Sequence, residues 1–84
     1  MAAELLVRLK LKQELTDAEL EPVKGEFEGK LKARIKKEKN KGKQLEWLVV
    51  AKKPELVEEG GIFTVFKRAK LEKMLKGVEV EEYK

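Results

Sequence analysis

The sequence predicts an α+β domain: an antiparallel sheet of four to five strands with a long central β-hairpin and one C-terminal helix, in the order β-short helical turn-β-β-β-α-β. Three observations predict it. Apolar and charged residues alternate with period two over Glu4–Lys12 and again from Glu26 to Lys36. Asn40-Lys41-Gly42 then interrupts the second run before an apolar segment returns at Gln44–Lys52. Near the end, Leu71, Met74 and Leu75 form one helical stripe ahead of Gly77, a residue type that terminates helices.

In the first run Leu5, Val7, Leu9 and Leu11 make one face of a half-buried strand. A helix over residues 2–15 is the alternative, and it splits the same leucines between two faces. Thr16-Asp17-Ala18-Glu19 has capping-box spacing and starts a helical turn, which Pro22 and Gly25 are expected to stop within two turns. Phe27, Gly29, Leu31, Ala33 and Ile35 then alternate with charged residues as a second strand. A three-residue turn centred on Lys41, with Gly42 left-handed, would set Ile35 opposite Trp47, Ala33 opposite Val49 and Lys36 opposite Glu46. The returning strand is apolar on both faces, so Leu48 and Val50 on its reverse face require a cover. Ile62–Lys67 reads as a short strand, Ala69–Lys76 as the helix, and Val78 and Val80 as a closing strand with Glu79, Glu81 and Glu82 outward. The expected organisation is one domain over residues 1–84 with a basic hairpin at 26–52.

Composition excludes much chemistry. The 84 residues hold no serine, histidine or cysteine. No imidazole can act as a base near neutrality, the common nucleophiles are missing, and thiolate or imidazole ligands for zinc do not exist. The pairs Glu58-Glu59 and Glu81-Glu82 read as solvated loop and tail, and Gly60-Gly61 lacks the lysine and hydroxyl of a phosphate-binding loop. The chain is therefore read as no enzyme, with no cofactor, no metal and no small-molecule substrate. No run of about 18 apolar residues exists to span a bilayer, and the N-terminus lacks a secretory apolar core, so the expected address is cytoplasmic. Lysine and glutamate dominate the polar residues, the composition of thermophile proteins, and predict a melting temperature above about 60 °C.

Charge is the informative property. Between Lys30 and Lys43 eight basic residues stand against one acid, Glu38, so this segment carries +7 in a chain of net charge +4. The remainder is mildly acidic. A positive ribbon on such a body is the electrostatic signature of a polyanion-binding protein. Lys30, Lys32, Arg34, Lys36, Lys37, Lys39, Lys41 and Lys43 are the expected phosphate contacts to DNA or RNA. Alternate strand residues lie about 6.6 Å apart, close to the spacing of successive phosphates. One arginine among seven lysines favours backbone contact over base reading. The competing expectation is a protein-interaction or assembly module, a homodimer or a subunit of a larger complex. There Leu48 and Val50 meet another chain, and the lysines are only a solvated surface.

Overall fold

The computed structural model describes residues 2–83. Its elements are β1 (Ala3–Leu11), α1 (Asp17–Lys30), β2 (Ala33–Lys41), β3 (Gln44–Ala51), α2 (Glu59–Arg68) and β4 (Leu75–Glu82), with single 3-10 turns at Pro54–Leu56 and Glu72–Met74. The four strands form one sheet in the order β2-β3-β1-β4, and every neighbouring pair is antiparallel. β3 thus lies between β1 and β2, which gives the split β-α-β arrangement of the ferredoxin-like topology. The α+β class and the antiparallel sheet agree with the sequence reading. The helix count and the element order do not: the described residues form two full helices, and the second stands where a strand was expected.

The first correction is α1. Pro22 and Gly25 do not stop it, and residues 26–30, expected in a strand, belong to the helix. Leu20, Val23 and Phe27 are buried at helical spacing and Leu31 closes the same stripe. Pro22 costs about 3 kcal/mol in a helix and Gly25 and Gly29 about 1 each, while burying three large apolar side chains returns about 1.5–3 apiece, so packing wins. Pro22 and Ala18 are both exposed, which leaves water to satisfy the carbonyl that Pro22 cannot serve. The capping box forms as expected: Glu19 N–H donates to Thr16 Oγ1 at 3.1 Å and Thr16 N–H to Glu19 Oε1 at 2.9 Å.

The second correction is α2. Ile62–Lys67 is helical, not a strand. Ile62, Val65 and Phe66 are the buried i, i+3, i+4 set, and Phe63 lies half-buried at the margin. Glu58 caps the helix by accepting from Gly61 N–H at 3.0 Å. A Cβ on Gly61 would stand 2.8 Å from the Leu56 carbonyl oxygen, so this close approach requires glycine. The expected helix over residues 69–76 is instead a left-handed Lys70 (φ 63°), the second 3-10 turn and the start of β4.

Both helices pack on one face of the sheet. There Leu5, Val7, Leu9 and Leu11 of β1 and Leu45, Trp47, Val49 and Ala51 of β3 join the helical stripes in a single core. Phe27 of α1 meets the Trp47 ring edge-to-face at 4.9 Å. Arg68 Nε on α2 reaches Glu26 on α1 at 3.0 Å, tying the two helices together at the surface.

The third correction concerns the hairpin, which begins at Ala33 rather than at residue 26. Its loop is the two-residue Gly42-Lys43, with Gly42 at φ 64° in the first position, where a type II′ turn wants glycine. Ile35 faces Val49 and Ala33 faces Ala51, not Trp47 and Val49. A β-bulge at Lys36 then shifts the register, so that Lys37 pairs with Leu48, Glu38 with Trp47 and Lys39 with Glu46. The bulge reverses which residues point outward. Beyond it the odd-numbered cations face away from the helices, and Glu38 and Asn40 turn toward them.

Glu38 uses that inward position. Its Oε2 accepts from Trp47 Nε1 at 2.7 Å and its Oε1 lies 3.4 Å from Lys24 Nζ. Asn40 Nδ2 donates to the Leu15 carbonyl at 3.2 Å and anchors the hairpin near its tip. The one acid of the basic ribbon is therefore a core bracket.

Candidate functional site

Among the described residues no helix covers the other face of the sheet. Strand pairing orders its side chains into rows that cross all four strands. The central row reads Lys37, Leu48, Leu6, Glu81 from the β2 margin to the β4 margin. The next row toward the hairpin tip reads Lys39, Glu46, Arg8, Glu79. One margin is cationic, the opposite one acidic, and the middle is apolar around Leu6, Leu48 and Val50, all half-buried. Tyr83 continues the β4 pairing through its N–H to the Glu4 carbonyl at 3.0 Å and leaves its side chain 49% exposed. A shallow depression of about 230 Å³ sits among Leu6, Lys37, Lys39, Glu46, Leu48 and Tyr83.

Sequence reasoning singled out Leu48 and Val50 on this face and missed Leu6 and Tyr83 beside them. The even positions of β1 carried the signal for Leu6. Its adjacency to Leu48 depends on β1 pairing with β3, a contact between segments far apart in the chain.

The eight expected phosphate contacts fall on four pieces of backbone. Lys30 ends α1, Lys32 is a left-handed linker residue (φ 53°), and Lys43 lies in the hairpin loop. Arg34, Lys36, Lys37, Lys39 and Lys41 belong to β2, which is an edge strand. The continuous strand row expected from Lys30 to Lys36 is thus broken into helix end, linker and strand. All eight are nevertheless exposed.

Ion pairing leaves most of them free. Lys36 Nζ holds Glu4 Oε2 at 2.8 Å, in place of the expected partner Glu46. Among the described residues the other seven enter no ion pair. Lys32 and Arg34 border a depression of about 430 Å³ at the base of the hairpin, with Lys52, just past β3, on the same rim. Glu28 also borders it, but its Oε2 accepts from Ile35 N–H at 2.9 Å and caps the outer edge of β2. That cap, the bulge and the lysine fringe discourage the addition of another strand at this edge.

The acids lie elsewhere. Arg8 Nη1 meets Glu81 at 2.8 Å and its Nε meets Glu46 at 3.3 Å. Hydrogen bonding and charge attraction from Glu81 first, and from Glu46 less, raise the guanidinium pKa above its ordinary value. Lys10 and Glu79 form a loose pair at 3.9 Å. Among the described residues no three acidic side chains converge to hold a metal ion, and no helix is long and apolar enough to cross a membrane. No family model, curated protein or solved structure matches the chain.

Proposed function

We propose that this protein binds the phosphate backbone of nucleic acid through the cationic β2 edge and contributes no catalysis. The observation that carries the reading is the set of seven exposed cations, four of them on the β2 edge strand, that no acid neutralises among the described residues. Lys32, Arg34 and Lys52 at the base depression, with Lys41 and Lys43 at the tip, supply charge at both ends of a strand about 30 Å long. Four-stranded sheets that read single-stranded RNA stack its bases on aromatic side chains of the central strands. The corresponding face here presents Glu4, Leu6, Arg8 and Lys10 on β1 and Gln44, Glu46, Leu48 and Val50 on β3. That face favours contact with phosphates over stacking of bases, and hence weak sequence preference.

Titration into labelled duplex DNA, single-stranded DNA and RNA tests the proposal. With about four phosphates engaged on duplex, log K falls against log[salt] with a slope near −3.6. Reversing Lys32, Arg34 and Lys41 to glutamate should abolish binding. Reversing Lys67, Lys70 and Lys73, equally exposed but off the edge, changes net charge by the same amount and should largely preserve it. Equal losses in the two triple variants would leave only net charge and refute the site.

The second reading, an assembly module, is favoured by the half-buried apolar centre of the open face. In that reading the free lysines serve solubility alone, as on thermophile surfaces.

A further inference from the structure

We infer that the open face of the sheet is a self-complementary interface that pairs with a second copy of this chain about a two-fold axis running parallel to the strands between β1 and β3. The inference is independent of nucleic-acid binding. It rests on the order of side chains in the two middle rows of the face.

A two-fold axis in that direction lays each row on its own reversed copy. The central row, Lys37, Leu48, Leu6, Glu81, is positive, apolar, apolar, negative. Reversed, it sets Lys37 over the partner's Glu81 and Leu48 over the partner's Leu6, with each contact occurring twice. The next row, Lys39, Glu46, Arg8, Glu79, alternates in sign. Reversed, it sets Lys39 over the partner's Glu79 and Glu46 over the partner's Arg8. All eight side chains in the two rows then meet a suitable group. The other face-to-face two-fold, perpendicular to the strands through the central row, would instead set Lys37 over the partner's Lys37 and Glu81 over the partner's Glu81.

Inside one molecule Arg8 already holds Glu46 and Glu81, and Lys10 lies near Glu79, but among the described residues the two margin lysines have no such partner. Lys39 and Glu79 lie on opposite margins, three strand spacings or about 14 Å apart. Lys37 and Lys39 enter no ion pair among the described residues. The apolar pair Leu6 and Leu48 straddles the axis, where an isologous interface has its centre, and the lysines and glutamates of the margins lie toward its rim. Aligned sheets pack about 10 Å apart, a distance that leucine pairs fill. Four strands of eight or nine residues give a flat footprint of roughly 500 Å² per partner, near the lower bound of stable interfaces, so the dimer should be of micromolar strength. In that dimer the two β2 edges lie at opposite ends, and Lys30, Lys32, Lys41 and Lys43 stay at its margins.

Sedimentation velocity from about 1 to 200 µM at low salt tests the inference; the expected result is a reversible monomer–dimer equilibrium. Leu48→Glu should be monomeric across the range while melting as a folded domain. Lys39→Glu and Glu79→Lys use exposed side chains and keep the test valid even if Leu48→Glu does not fold. Each alone should weaken self-association about tenfold, since each sets like charges together at two contacts. Mixing the two variants should restore affinity. In a mixed dimer the two substituted side chains face each other as an ion pair of reversed polarity at one contact, and the native pair remains at the other. A wild-type chain still monomeric at 200 µM overturns the inference and leaves the face to a different partner. So does a dimer that survives both charge variants, or a mixture no tighter than its components.

Discussion

The two faces of this sheet are built from the same strands and differ in nearly every physical respect. On the covered face Val7, Trp47 and Val49 are fully buried beneath two helices. One residue along, Leu6, Leu48 and Val50 lie half-buried among charges, with none of the described elements above them. The chain places Trp47 on the first face, and its salt-bridged Arg8 and exposed Tyr83 on the second. Alternation therefore separates two duties: one face holds the fold together, and the other is available to meet something else. The contrast can be broken by substitution, because the same chemical change should have different consequences on the two faces.

The largest effect is expected at Trp47. It is enclosed by Phe27 and anchored by Glu38, so Trp47→Ala should cost about 3–5 kcal/mol in a denaturant melt, much of a small domain's total stability. A loss below about 1 kcal/mol would mean that the covered face is not the core. Glu38→Ala is a milder attack on the same bracket. It leaves the indole N–H without its partner and Lys24 without its acid, at a cost of about 1–3 kcal/mol. That result would separate Glu38 from the surrounding cations, whose replacement should leave stability nearly unchanged.

Adjacent valines give the most direct comparison. Val49→Ala and Val50→Ala remove the same atoms from neighbouring positions of β3. Val49 is buried, so its truncation should destabilise by about 2 kcal/mol, whereas half-exposed Val50 should lose less than about 1 in the monomer. Equal losses would show that something covers the open face even at low concentration.

How far these differences can be read from the sequence follows from range. β1 and β4 are legible because period-two alternation is local, and β3 because an apolar run returns directly after the Gly42 turn. The capping box at Thr16 is legible for the same reason. α1 is misread because Pro22, Gly25 and Gly29 speak locally against a helix, while the core contacts of Leu20, Val23 and Phe27 that override them are tertiary. α2 is misread because Ile-Phe-Thr-Val-Phe has strand propensity in every residue, yet Ile62, Val65 and Phe66 match a helical stripe equally well. The bulge at Lys36 has no local signature. It moves Glu38 and Asn40 from the expected binding ribbon into the core side of the hairpin. The cluster of cations was visible in the sequence, but its breakage into helix end, linker, edge strand and hairpin loop was not. Nor could the sequence show that acids gather at the far margin, because that depends on β4 pairing with β1 instead of β2.

The smallest expected effect gives the sharpest separation of folding from binding. Lys32 and Lys70 are the two non-glycine residues with left-handed backbone, at φ 53° and 63° among the described residues. Lys32 borders the depression at the base of β2, and Lys70 follows α2 in the covering layer. Each conformation strains an L-residue by about 1–2 kcal/mol, and glycine removes that strain while adding about 0.5–1 of unfolded-state entropy. Both Lys32→Gly and Lys70→Gly should therefore stabilise the protein slightly, by a few tenths to about 1 kcal/mol. Both also remove one positive charge, so the two variants match in net charge and in backbone effect. Only Lys32→Gly removes a cation from the proposed phosphate-binding edge, and it should lower the salt slope for duplex DNA by about 0.9 while Lys70→Gly leaves it unchanged. If the two slopes fall together, affinity follows the charge of the whole molecule, and the β2 edge has no special claim on nucleic acid.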